Sequence, residues 1–225
     1  MKIVHSTNMG RTMQSLIGQT ENNGHAPAFI TGKAYTNQQW CAYTISYAID
    51  KITKAKGIKN PTKGFYAVSQ YRDWGRKSGR YKPIATQNVS KDNFQKDRAA
   101  REKEIKAQLP KMKEGDLIIW KSEYYAKAFE NGKGTMKHFT SSHIGMIEKV
   151  EGDYVYVIEG NANEAKSDNN YERYINSTDS IIGNQKAGEI VEINQNDGVI
   201  RKRYSISDLA KFGYSGFIDM KGLSD

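Results

Sequence analysis

Residues 142–161 read SHIGMIEKVEGDYVYVIEGN. Ile144 to Val150 and Tyr154 to Glu159 are β-favouring runs, and Glu151-Gly152-Asp153 between them is a short turn-like segment. The stretch therefore predicts an antiparallel hairpin. If Val150 pairs with Tyr154 across a three-residue loop, the same register sets His143 opposite Asn161. Side chains alternate along a strand with a period of two, so Glu159 and Asn161 share a face with His143, and Glu159 is its diagonal neighbour. A slip of one residue would turn His143 to the other face, so the reading rests on that register. An imidazole is thereby given two polar neighbours that can orient it.

Working outward, the strongest helical signal lies upstream. Thr36 and Gln39 have the spacing of a capping box, which places a helix start near Asn37. Cys41, Ile45, Ala48, Ile49 and Ile52 then recur as one apolar stripe, and the helix is expected to end before Gly57, with Pro61 beyond it. Cys41 falls in the first or second turn. A free cysteine in such a stripe is commonly a small core residue. A thiol near a helix N-terminus also feels the positive end of the macrodipole, which favours the thiolate. Both readings stand on this segment alone.

Further along, Asp97 to Leu109 predicts a short helix inside a charged excursion at about 90–112, whose mixed charges read as a solvated face. Glu114-Gly115-Asp116 is a turn leading into Leu117-Ile118-Ile119-Trp120, a buried strand. The region of Gly132 and Gly134 reads as a loop, with a further strand starting near His143. From Glu164 to Lys186 the sequence is polar.

The chain has one cysteine and four histidines, so few sets of a thiol, a base and an orienting group can be assembled. Cys41, His143, Glu159 and Asn161 make one such set, and its parts are those of acyl transfer through a thioester. No cofactor is expected. A zinc site from Cys41, His143 and Glu159 is disfavoured, since neither H-E-x-x-H nor paired-cysteine spacing occurs.

At 225 residues the chain reads as a single domain, 1–225. Its 37% hydrophobic and 26% charged residues fit an ordinary globular protein. No apolar run approaches the roughly 20 residues of a membrane helix, so membrane insertion is not expected, and Met1 to Gly10 lacks the apolar stretch of a signal peptide. The net charge of +9 favours an anionic partner: nucleic acid, a membrane surface or an anionic wall polymer. No nucleic-acid motif of recognised spacing is present, and nucleic acid is not expected as the partner.

Gln39-Trp40-Cys41-Ala42, Glu114 to Trp120, Ser142-His143-Ile144-Gly145 and Val157 to Asn161 resemble the motifs of CHAP amidase/peptidase domains, which belong to the NlpC-like group of papain-like cysteine enzymes. Asn196 to Arg203 and Gly216 to Asp219 are similar to the closing strands of such domains, and motif order is kept from about Ser15 to Asp219. The resemblance implies an α+β fold with a papain-like core, in which an N-terminal helix carrying the cysteine packs on an antiparallel sheet carrying the histidine. It implies Cys41 as nucleophile, His143 as general base and then acid, and Glu159 and Asn161 as the groups that orient His143. The backbone N–H of Cys41 would meet the oxyanion with one further donor, for which Gln38 and Gln39 are near in sequence.

The function so implied is that of a peptidoglycan hydrolase, an N-acetylmuramoyl-L-alanine amidase or a peptide or cross-bridge endopeptidase, acting as a lytic enzyme or antibacterial effector. Peptidoglycan is then the partner, reached by secretion or delivery to the cell wall or periplasm. An immunity, holin or secretion partner fits a lytic protein that shows no signal peptide. Two other readings stay open: a papain-like transferase or deamidase on another amide, and a basic binding module in which Cys41 is core.

Overall fold

The computed structural model describes residues 5–19, 30, 40–87, 94–121, 124–130, 133–139, 142–160, 198–211 and 213–225. In chain order the helices are α1 (Asn8–Gln14), α2 (Cys41–Lys56), α3 (Val68–Lys77), α4 (Phe94–Gln108), followed by a short 3-10 turn (Leu109–Lys111), and α5 (Ile206–Lys211). The strands are β1 (Tyr81–Pro83), β2 (Leu117–Lys121), β3 (Tyr124–Glu130), β4 (Lys133–Phe139), β5 (Ser142–Glu151), β6 (Tyr154–Glu159), β7 (Ile200–Ser205) and β8 (Tyr214–Ile218).

Six strands form one antiparallel sheet in the order β1-β8-β2-β5-β6-β7. Helices and antiparallel sheet together make the protein α+β, as expected. Alternation along the strands sorts the sheet's side chains onto two faces. Leu117, Ile119, Ile144, Met146 and Ile158 join Met9 and Met13 of α1, the buried side of α2 and Val68 and Tyr71 of α3. Ile118, Trp120, Ile147, Val155, Val157 and Tyr204 join Ile105 of α4, Leu109, and Leu209 and Ala210 of α5. Helices thus cover both faces of the sheet.

The stripe expected on α2 is the buried one: Cys41, Ile45, Ala48, Ile49 and Ile52 all face the core. The helix stops at Gly57 in the left-handed conformation, φ 64°, where its N–H bonds Lys54 O and the next N–H bonds Thr53 O. It begins later than expected, at Cys41 with Trp40 as N-cap. Thr36 and Gln39, the expected capping box, lie outside the described residues.

The charged segment is helical as expected, over Phe94–Gln108. It is more than an excursion with a solvated face. Arg101, Ile105 and Leu109 are buried at four-residue spacing and close the second face of the sheet. Arg101 ends among backbone carbonyls, donating to Ala210 O at 3.1 Å, Tyr214 O at 2.6 Å and Thr86 O at 2.8 Å, with a longer bond to Gln87 O at 3.2 Å. A guanidinium with five donors satisfies four carbonyls that strands and helices leave over. Gly134, expected in a loop, sits in β4 opposite Phe129 of β3, in a separate two-stranded ribbon. Gly132 lies outside the described residues.

The hairpin that decides the fold reaches its register by an unexpected route. The turn is shorter than expected, with Glu151 opposite Tyr154, and Val150 opposite Val155. A bulge between Ile147 and Lys149 then admits Glu148 as an extra residue, and beyond it Ile147 pairs with Val157 and Gly145 with Glu159. The short turn and the bulge cancel, so the His143 end of the hairpin has the expected register.

The bulged residue is itself fixed. Arg201 donates from Nε to Glu148 Oε2 and from a terminal nitrogen to Oε1, both at 2.6 Å, and His5 Nε2 lies 3.0 Å from Oε1. His5 Nδ1 is 3.5 Å from Glu114 Oε1, and Glu114 accepts from the backbone N–H and hydroxyl groups of Ser6 and Thr7. Burial acts to neutralise His5, yet its two carboxylate partners outweigh burial and raise it to about 9. In Glu114 burial acts upward and is outweighed by His5 and the Ser6 and Thr7 donors, which bring it to about 2. This network anchors the start of α1 to the sheet. Replacing Glu148 by Ala should lower the unfolding free energy in urea by about 3 kcal/mol or more, because the Arg201 guanidinium is left buried without its counter-charge; a loss no larger than that of an exposed pair would contradict it.

Candidate active site

Two strand ends, those of β5 and β6, meet the head of α2, and β7 starts beside them. His143 is the second residue of β5, Glu159 the last of β6 and Ile200 the first of β7, with Glu159 opposite Ile200. The helix comes close there: a Cβ built on Gly160 would lie 2.1 Å from the hydroxyl oxygen of Thr44. Only glycine lets the end of β6 pass the first turn of α2 at this distance.

Cys41 is the first residue of α2, so its N–H is one of the first-turn donors that the helix itself does not use. The first bond of the helix is Thr44 N–H to Trp40 O, at 3.1 Å. The residue is 2% exposed and belongs to the apolar cluster with Trp40 and Ile45. It is therefore a core residue, and it also lies beside His143, whose imidazole it helps to hold charged.

His143 stands across from Trp120 of β2, with ring centroids 5.4 Å apart. Its Nε2 is bonded to Glu159 Oε2. With Nε2 so committed, Nδ1 is the nitrogen left for the Cys41 sulfur. The imidazole side chain is 24% exposed, whereas Glu159 behind it is 1% exposed. Access to the pair therefore runs past the imidazole.

Gly145 makes the diagonal reach feasible. It lies between His143 and Ile147 on β5 and directly opposite Glu159. A Cβ here would fall 2.5 Å from Val157 Cγ1 and 3.2 Å from Glu159 Cβ. The empty space above Gly145 is what the Glu159 side chain uses.

The far side of the carboxylate is also bound. Tyr204 donates its hydroxyl to Glu159 Oε1 at 2.5 Å, and Lys202 Nζ lies 3.8 Å from the same oxygen. Burial pushes Glu159 towards the neutral acid, but Lys202, His143 and Tyr204 together outweigh it and hold the carboxyl near 2. Burial likewise opposes charge on His143. The fields of Glu159 and Cys41 and the hydrogen bonds to both exceed that cost and raise the imidazole to about 10. At neutral pH the site holds an imidazolium against an ionised carboxylate.

Cys41, His143 and Glu159 are thus brought together, and Asn161 lies outside the described residues, as do Gln38 and Gln39. Trp120, Lys202 and Tyr204 were not singled out from the sequence. Lys202 and Tyr204 had a legible signal, since Ile200, Lys202 and Tyr204 alternate onto one face, but only the β6–β7 pairing says which face. Among the described residues no group of three or more His, Cys, Asp and Glu side chains is placed to hold a metal ion, and no helix is long and apolar enough to cross a membrane. Compared with family models, curated proteins and solved structures, the chain matches none.

The raised His143 and lowered Glu159 make the pair's contribution to stability depend on pH in a definite sense. His143 contributes fully below its ordinary value of 6.5 and loses that contribution as pH rises through about 10; Glu159 contributes above 4.5 and loses it as pH falls to about 2. In histidine-labelled protein, NMR should show His143 protonated throughout the neutral range, and Glu159→Gln should bring its titration midpoint down by more than about one pH unit. An unchanged midpoint would mean that Glu159 does not set the charge on His143.

A second outcome concerns position. Gly160→Ala should lower the melting temperature, at a cost of about 1–3 kcal/mol for the overpacked contact, and Thr44→Ala in the same chain should recover part of it. Additive losses in the double variant would show that strand end and helix do not press on each other.

Proposed function

We propose that the chain is a papain-like cysteine amidase or peptidase that cleaves amide bonds of peptidoglycan. The observation that carries the reading is the placement of Cys41, at the head of α2, beside His143, whose Nε2 is bonded to Glu159. A thiol, an imidazole and a buried carboxylate in that order have the connectivity of an activated nucleophile. The ordered likeness of the surrounding motifs to CHAP domains supports the choice of substrate. So does the charge of +9, which favours residence on an anionic wall.

The reaction follows from the groups present. With its proton already held by His143, the Cys41 sulfur attacks the amide carbonyl, so that a C–S bond forms and the carbonyl electron pair moves to oxygen. The oxyanion is met by the Cys41 N–H at the positive end of α2, with a further donor completing the pair. His143 protonates the leaving amine as the C–N bond breaks, which leaves a thioester. Water then loses a proton to His143 and attacks the thioester, and the C–S bond breaks to release the acid and restore the sulfur beside the imidazolium. Glu159 keeps the imidazole oriented and charge-balanced in each half of the cycle. Asn161, two residues beyond, is a further candidate for that orienting role.

Purified peptidoglycan incubated with the protein should release soluble fragments, with Cys41→Ala releasing none and His143→Ala at least about a hundredfold less. Mass spectrometry of the fragments identifies the amide, between muramic acid and the stem peptide or within the peptide and its cross-bridge. No release from walls of several cross-link chemistries would sink the wall-hydrolase reading and turn attention to a transferase or deamidase, assayed with amine acceptors.

A further inference from the structure

The two oxygens of Glu159 have separate partners. Oε2 faces His143, while Oε1 receives the Tyr204 hydroxyl at 2.5 Å and lies 3.8 Å from Lys202 Nζ. A carboxylate held by one bond turns freely about its last torsion, which has broad minima. Anchoring the second oxygen fixes the plane and so decides which lone pair meets the imidazole. Tyr204 is fixed in turn: its ring lies 5.3 Å from Trp120, and Trp120 lies 5.4 Å from His143. The contacts close into a ring of four, Trp120 to His143 to Glu159 to Tyr204 and back, and no member can shift without displacing another.

We propose that Tyr204 and Lys202 are positioning residues for the Cys41–His143 pair, acting through the Glu159 carboxylate. The proposal rests on the reading of Cys41 and His143 as nucleophile and base. Among the described residues, the titratable and charged groups that face Glu159 are His143 from β5 and Lys202 and Tyr204 from β7, while Cys41 of α2 faces the imidazole. Both β7 groups favour the ionised carboxylate, one by donating a hydrogen bond and the other by its positive charge. Without either, the carboxylate takes up a proton at higher pH. It then no longer holds the imidazolium in place beside the sulfur, and the sulfur takes up a proton from solvent.

That chain of events can be read without any substrate. The rate at which iodoacetamide alkylates Cys41, followed by intact mass across acid and neutral pH, reports the thiolate held beside His143. Wild type should remain reactive well into the acid range. Tyr204→Phe, which removes only the hydroxyl and keeps the ring against Trp120, should move the acid limb of the profile up by about one pH unit. Lys202→Met should move it in the same direction, and Lys202→Arg, which keeps the charge, should follow wild type.

A purely structural role would lower the thermal midpoint without displacing the limb. If Tyr204→Phe and Lys202→Met superimpose on wild type while His143→Ala abolishes alkylation in acid, the positioning role is overturned and the nucleophile–base pair stands. If His143→Ala itself superimposes on wild type, the pair fails and the positioning role with it. Should Tyr204→Phe lack the circular dichroism of the folded chain, the contrast between Lys202→Met and Lys202→Arg decides the matter.

Discussion

The extra residue at Glu148 governs where every side chain at the His143 end of the hairpin stands. Strand pairing has a period of two, so a single inserted residue exchanges the faces of everything beyond it. Here the insertion follows a turn one residue shorter than the alternation of the segment suggests, and the two displacements cancel. Gly145 then meets Glu159, and His143 receives its carboxylate diagonally. The bulge is not a soft spot, because its carboxylate is bound on one side by Arg201 and on the other by His5. The geometry of the site therefore depends on an ion cluster that touches none of its members.

Two buried charge clusters serve this sheet in different ways. The one around Glu148 is paired out among His5, Glu114 and Arg201, and it ties the first helix to the strands. The one around Glu159 is left with an imidazole that is partly exposed and a thiol at its far end. Removing any one partner from either cluster exposes the cost of an unmatched buried charge. What separates the two is that the second cluster ends on a thiol at a helix N-terminus, and the first ends on hydroxyl and amide donors.

Much of this was legible in the sequence. The period-two runs at 144–150 and 154–159 and the spacing of Ile45, Ala48, Ile49 and Ile52 are local signals, and they specify the hairpin and the buried side of α2. The diagonal from His143 to Glu159 was reached by alternation from an assumed three-residue loop, and it holds because the bulge offsets the shorter turn. The loop length was not legible, because a bulge has no signature in composition when its residue is a glutamate that could as well face solvent. Arg101 was illegible for a similar reason: a charged residue in a charged helix is buried only because carbonyls from Thr86, Ala210 and Tyr214 converge on it. Tyr204 needed a strand pairing between segments about 45 residues apart, and long-range register is carried by no local pattern.

The position of Trp120 gives the site an optical property. An indole tilted against an imidazole senses the charge on that ring, since protonated imidazole accepts an electron from the excited indole and quenches emission more strongly than the neutral form. Trp120 is one of three tryptophans in the chain and the one that stands across from His143. Its emission should thus be dim while the imidazolium persists and brighten when the charge is lost. The protein carries its own spectroscopic gauge of the charge on His143, with no label attached.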